Sequence, residues 1–165
     1  MILGIDPGLS GALCLYEHPH ATIIDIPTIE VKTNNSTKRQ VDLYQLGNWL
    51  DLHRNQISKA VIEHVGSMPA QGVTSSFNFG FTAGAIQGAV AANQIPVVLV
   101  RPNIWKKHFG LIGQTKDASR AAASRIAPQH THLWPLKKHD GRAEAFLLAV
   151  YGSLMDLPQN YEGTD

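Results

Sequence analysis

The sequence predicts an α/β domain built on a mixed five-stranded sheet, three strands antiparallel and two parallel, flanked by helices. Three observations carry this. Apolar and β-branched runs at residues 2–5, 12–16 and 21–29 follow one another too closely for crossovers, so they form a meander. Two more apolar runs, at 60–64 and 96–100, each follow a helical stretch, and a strand reached through a helix joins a sheet in parallel. Beyond residue 100 the pattern is helical to the end of the core. Residues 1–158 read as one domain and 159–165 as a polar tail.

Each element has its own warrant. The glycine-bounded stretch 8–11 is a tight turn that makes 2–5 and 12–16 a hairpin. Residues 31–40 are polar and without period, which predicts a loop. Asp42 fits an N-cap, and Leu43, Leu46, Trp49 and Leu50 make the apolar stripe of a helix ending near Asn55. The segment 66–74, with glycine and proline, is a loop. The alanine- and glycine-rich segment 75–93 is a helix whose small side chains permit close approach of a neighbour. Further helices are expected at 104–109, 116–126 and 141–155. No internal repeat or low-complexity segment is present.

Composition bounds the function. Hydrophobic residues are 44% and charged residues 16%, which is an ordinary globular balance. No apolar run approaches the roughly 20 residues of a membrane span. Cys14 is the lone cysteine, so an intrachain disulfide and a cysteine-rich zinc site are both excluded, and the cytoplasm is the default location. Net charge is +1, but it is unevenly placed. Residues 101–142 hold Arg101, Lys106, Lys107, Lys116, Arg120, Arg125, Lys137, Lys138 and Arg142 against Asp117 and Asp140, which suggests a basic face for a polyanion or, alternatively, a solvated helical surface.

Against this basic background the acids stand out. Asp6 ends the first strand and Glu63 ends the fourth, and in an open sheet with helical crossovers such strand ends meet at a ligand-binding crevice. Asp140 and Glu144 lie four apart at the start of the last helix, on one face. Gathered carboxylates repel unless a cation neutralises them, and hard divalent ions such as Mg²⁺ take oxygen ligands. The spacing therefore makes Asp6, Glu63, Asp140 and Glu144 a candidate metal centre. Asp6 and Asp140 each have a simpler reading, as a turn residue and as the N-cap of the last helix.

The stretches "GIDPGLSGAL", "VVLVRPNIWKKHFGL", "TKDASRAAA" and "HDGRAEAFLLAVYG", with the strand-ending Glu63, make the chain resemble the RuvC family of Holliday-junction resolvases from Met1 to about Gly152, in wording closest to its phage and bacterial RuvC-like members. The resemblance implies an RNase H-like fold, a homodimer, and Mg²⁺-dependent cleavage of four-way DNA junctions by paired nicks. It assigns the first-strand acid to Asp6, the fourth-strand acid to Glu63 and the last helical acid to Glu144. Cellular members carry an acid or histidine three residues before that last acid, where this chain has Gly141. Either Asp140 or His139 then completes the site. Lys107 or Lys106, with Lys116, resembles the family's phosphate-contacting lysines. Arg120, Lys137 and Lys138 extend the expected DNA-binding set.

Two-metal phosphodiester hydrolysis suits these residue types: Asp6 bridging two Mg²⁺ ions (with Mn²⁺ as a substitute), Glu63 on one, Glu144 and Asp140 on the other, and lysines at the phosphate. Phe77, Phe79 and Phe81 are candidates for stacking on unpaired bases or for core and dimer contacts. Met68 and Gln71 are further candidates for probing a junction. His18, His20, His130 and His132 lack a cysteine partner for zinc. Two other functions fit the pattern: a structure-specific DNA-binding protein with weak or no catalysis, and a nuclease acting on flaps or RNA–DNA hybrids. Sugar-kinase and actin-like ATPases share the Gly-Ile-Asp-x-Gly turn but need two such halves, and this chain has room for one.

Overall fold

A computed structural model of the chain describes residues 1–33, 36–66, 72–115 and 117–155. The expected residues Lys116, Met68 and Gln71 and the expected tail 159–165 lie outside the described residues. Strand β1 (Ile2–Ile5) pairs antiparallel with β2 (Ala12–Glu17), which pairs antiparallel with β3 (His20–Asp25). On its other side β1 pairs parallel with β6 (Lys59–Glu63), which pairs parallel with β7 (Val97–Val100). The order β3-β2-β1-β6-β7 is the mixed five-stranded sheet expected from the sequence, with β1 at its centre.

Both faces of the sheet are covered. Leu3, Ile5, Leu13 and Ile62 pack against Leu46 and Leu50 of α1 (Leu43–His53) and Ile86 and Val90 of α2 (Val73–Ala92). Cys14, Val61 and Val98 pack on the opposite side with Trp105 of α3 (Pro102–His108), Ala122 of α4 (Asp117–Ile126) and Phe146 and Leu148 of α5 (Asp140–Leu154). Such two-sided burial is why the central strands read as continuous apolar runs. Asp42 caps α1 as expected, its side chain accepting the Gln45 backbone N–H at 2.9 Å.

Between β3 and α1 the structure departs from the sequence reading. The run 21–29 is broken: β3 stops at Asp25, and a new strand starts at Thr28. The expected loop at 31–40 is mostly strand, because β4 (Thr28–Thr33) and β5 (Ser36–Val41) pair antiparallel as a separate two-stranded ribbon. A ribbon outside the main sheet buries little, and β5 is polar and exposed up to Val41, so this stretch reads as a loop. Its cross-strand pairs include Glu30 opposite Arg39, and Arg39 donates to the Leu9 carbonyl at 3.0 Å and to Ser10 Oγ at 3.1 Å. The ribbon is thus braced on the turn that follows Asp6.

Helix α5 lies unusually close to the sheet, and glycine is the reason. A Cβ at Gly4 of β1 would overlap the Ala145 carbonyl oxygen and approach the Ala149 nitrogen to 2.5 Å. At the start of α5, a Cβ at Gly141 would stand 2.7 Å from Asp6 Oδ2 and 2.8 Å from the Gly11 α-carbon. These two close approaches fix the depth at which α5 meets the end of β1.

Candidate metal centre and nucleic-acid interface

Register brings the first two acids together. Ile5 of β1 is paired with Ile62 of β6 in parallel, so Asp6 and Glu63, one residue further along each strand, emerge side by side at the strand ends. The close seating of α5 then delivers Glu144. One carboxylate oxygen from each of Asp6, Glu63 and Glu144 lies within 4.8 Å of the others. Among the described residues this is the one group of acids, histidines or cysteines that gathers so closely.

The electrostatics of the triangle are unfavourable by themselves. Burial, and then the charges of Glu144 and Glu63, push the Asp6 carboxyl up to about 8, with Lys106 opposing. Burial also raises Glu63, against the pull of Lys106 and a hydrogen bond from Trp105. The site is short of positive charge. Lys106 supplies part of it, its Nζ standing 3.4 Å from Glu144 Oε1 and 3.9 Å from Glu63 Oε1. Three hard oxygen donors in a carboxylate cluster this short of positive charge fit a hard divalent cation.

The other expected residues fall around this triangle. Asp140 lines the same cleft of about 550 Å³ as Asp6 and Glu144, with Lys106, Lys137 and Lys138. It sits in the first turn of α5 and lies outside the close triangle. Its Oδ1 is 3.3 Å from Arg120 Nε, yet neither buried atom has an aligned hydrogen bond. His139 precedes the helix; its Nδ1 accepts the Leu136 backbone N–H at 3.3 Å. Lys107 is exposed on α3.

Two residues of the basic stretch are occupied elsewhere. Arg120 donates to Asp117 at 2.7 Å. Arg142 forms a two-pronged pair with Asp25 of β3, both bonds 2.6 Å, and donates to the Leu133 carbonyl at 3.1 Å. These arginines tie α4 and α5 in place, so the basic rim of the cleft is mainly lysine. Sequence reasoning did not single out Trp105 or Ser119. Trp105 Nε1 donates to Glu63 Oε1 at 3.0 Å, and Ser119 Oγ donates to Glu144 Oε1 at 2.9 Å. A tryptophan followed by two lysines and a serine in an alanine-rich helix carry no pattern that marks them as partners of acids.

Phe77 and Phe81 are 70% and 65% exposed on α2, with rings stacked 6.5 Å apart, whereas Phe79 is half-buried near Gly8.

Comparisons with known proteins bear on the fold. No family model matches the chain. It is 30% identical over 118 residues to the crossover junction endodeoxyribonuclease RuvC of Nitratidesulfovibrio vulgaris, and the match covers 64% of each protein. The structure resembles Thermus thermophilus RuvC with a TM-score of 0.54 over 92% of both chains, at 15% identity. It also resembles T. thermophilus RuvC in complex with a Holliday junction substrate, with a TM-score of 0.60 over 94% of this chain and 96% of that one, again at 15% identity. This chain has the fold of RuvC. Its architecture is the RNase H-like fold that RuvC has, and the carboxylate triangle stands where β1, β6 and α5 of that fold converge. The ribbon β4–β5 lies beside this RuvC-like core in its own sheet. No helix among the described residues is long and apolar enough to cross a membrane.

Proposed function

We propose that the protein is a divalent-metal-dependent endonuclease that resolves four-way DNA junctions by paired nicks, working as a homodimer on DNA in the cytoplasm. The observation that carries this reading is the triangle of Asp6, Glu63 and Glu144 beneath a lysine rim, on a RuvC-like fold. Bound Mg²⁺, two ions per site with Mn²⁺ as a substitute, supplies an activated water and relief of charge on the leaving oxygen. Asp6, on the rigid end of the central strand, would hold the metal together with Glu63, Glu144 and Asp140, whose buried Oδ1 has spare accepting capacity. Lys106 neutralises the scissile phosphate, and Lys107, Lys116, Lys137 and Lys138 hold the flanking backbone.

Helix α2 supports the homodimer. Its twenty residues include no charged side chain, and Gly80, Gly84 and Gly88 recur one turn apart on its exposed surface beside Phe77 and Phe81. A twofold axis at such a helix would give two active sites for two opposed nicks. The decisive experiment incubates the protein with labelled four-way junction, flap, duplex and RNA–DNA hybrid, with Mg²⁺ or with chelator. Symmetric nicking of the junction in Mg²⁺ alone is expected. Cutting of the hybrid or flap in preference to the junction would reassign the substrate.

The pairing of Asp140 with Arg120 favours a second reading, in which the fold binds junctions and cleaves them weakly or not at all. Tight junction binding without cleavage across a Mg²⁺ and Mn²⁺ titration would select it.

A further inference from the structure

The two outer acids of the triangle are gripped in the same way. Trp105 is fully buried in α3, and its indole N–H reaches Glu63 Oε1 at 3.0 Å. Ser119 is 4% exposed in α4, and its hydroxyl reaches Glu144 Oε1 at 2.9 Å. Both donors are neutral, and both take one oxygen of their carboxylate. A carboxylate has two oxygens and about four acceptor positions, so a donor on one leaves the other for a ligand. Both donors are also rigid: the fully buried indole belongs to the core cluster that also holds Val98 and Phe146, and the hydroxyl is on a helix whose buried side packs on α5. Lys106 pairs with the same two oxygens, but through a mobile side chain and with a charge that a cation would oppose.

We infer that Trp105 and Ser119 are positioning residues that orient Glu63 and Glu144 for a divalent cation. A ligand held by a fixed donor loses less freedom when it binds metal, and removing such a donor typically weakens metal binding about 10–100-fold. A neutral donor does this without competing for the site, as a second lysine would. The assignment rests on the metal centre proposed above, so its test is chosen to separate the two.

The test is calorimetric titration of the DNA-free protein with Mn²⁺. Ser119→Ala removes one oxygen atom and leaves a void smaller than a methyl group. At position 105, benzothienylalanine keeps the ring shape and loses the N–H, whereas Trp105→Phe also opens a cavity. Each variant should bind Mn²⁺ about 10–100-fold more weakly while its metal-free melting temperature stays near wild type for Ser119→Ala and the benzothienyl analogue. Cleavage should need correspondingly more Mg²⁺ and recover at saturation, with junction affinity unchanged. Wild-type Mn²⁺ affinity in both of those variants would overturn the assignment and leave the metal centre standing. Absence of Mn²⁺ binding by the wild-type protein would overturn both.

Discussion

Asp6 Oδ2 faces the bare α-carbon of Gly141, with room for no further atom: a Cβ there would lie 2.7 Å from that oxygen and 2.7 Å from the Ser10 carbonyl. The resemblance to cellular RuvC proteins implies an acid or a histidine at this position. Here it is closed, and the neighbouring Asp140 lines the cleft instead. Gly141→Ala should therefore push α5 off the β1 end, because backbone atoms cannot swing aside as a side chain can. Overpacking of this kind costs about 1–3 kcal/mol. Thermal stability and cleavage rate should both fall, and a fully active, equally stable Gly141→Ala protein would show that α5 has slack.

Asp6 sets a pH dependence in the metal-free protein. Its folded carboxyl is pushed up to about 8 from the ordinary 3.8 by burial and by Glu144 and Glu63. Folding thus favours the protonated form. The associated stability is full below about pH 4 and is lost as pH rises through 8. Metal-free melting temperature should drop between about pH 5 and pH 8, and Asp6→Asn should flatten that drop while abolishing cleavage. Mg²⁺ should raise the wild-type melting temperature more at the alkaline end of that range than at the acid end. Identical pH profiles for wild type and Asp6→Asn would remove Asp6 as the source.

Asp140 and Glu144 separate by conservative substitution. Glu144→Gln removes a member of the triangle, and cleavage should fall to background. Asp140→Asn keeps the size and the hydrogen-bonding reach of the side chain, so stability should hold, while cleavage falls if the carboxylate serves the metal side of the cleft. Normal cleavage by Asp140→Asn across a Mg²⁺ titration would confine Asp140 to its pairing with Arg120 and turn attention to His139.

The cations divide into two classes that salt can tell apart. Lys137 and Lys138 line the cleft and are exposed. Replacing either with alanine should lower the log–log salt slope of junction binding by about 0.9 for each phosphate that is no longer neutralised. Arg142 is engaged by Asp25, so Arg142→Ala should leave the slope unchanged and lower the melting temperature. An unchanged slope in both lysine variants would make this rim idle.

Phe77 and Phe81 test the assembly. Both rings are exposed, so Phe77→Asp with Phe81→Asp should leave the monomer fold intact. Sedimentation should show a shift from dimer to monomer, and paired nicking should decay to single nicks. A monomeric wild-type protein that still cuts both strands in concert would contradict the twofold arrangement.

Local patterns of residue type were enough to order the main-sheet strands and the helices and to mark the two strand-end acids. An apolar run closed by a carboxylate, as at Asp6 and Glu63, is a local signal, and parallel pairing of β1 with β6 turns it into a spatial one. The motif around Glu144 was equally legible. The ribbon formed by β4 and β5 was hidden, because its strands pair with each other outside the main sheet and β5 is exposed up to Val41. Which cations remain available for DNA was settled by packing. Arg120 and Arg142 look like part of a basic face when counted along the chain, but Asp140 beside Arg120 and Asp25 beside Arg142 are placed there by how α4, α5 and β3 come together. Packing also made Gly4 and Gly141 set the depth of α5, and gave Trp105 and Ser119 their hold on Glu63 and Glu144. Those relations depend on distances between elements far apart in sequence, which no local pattern of residue types encodes.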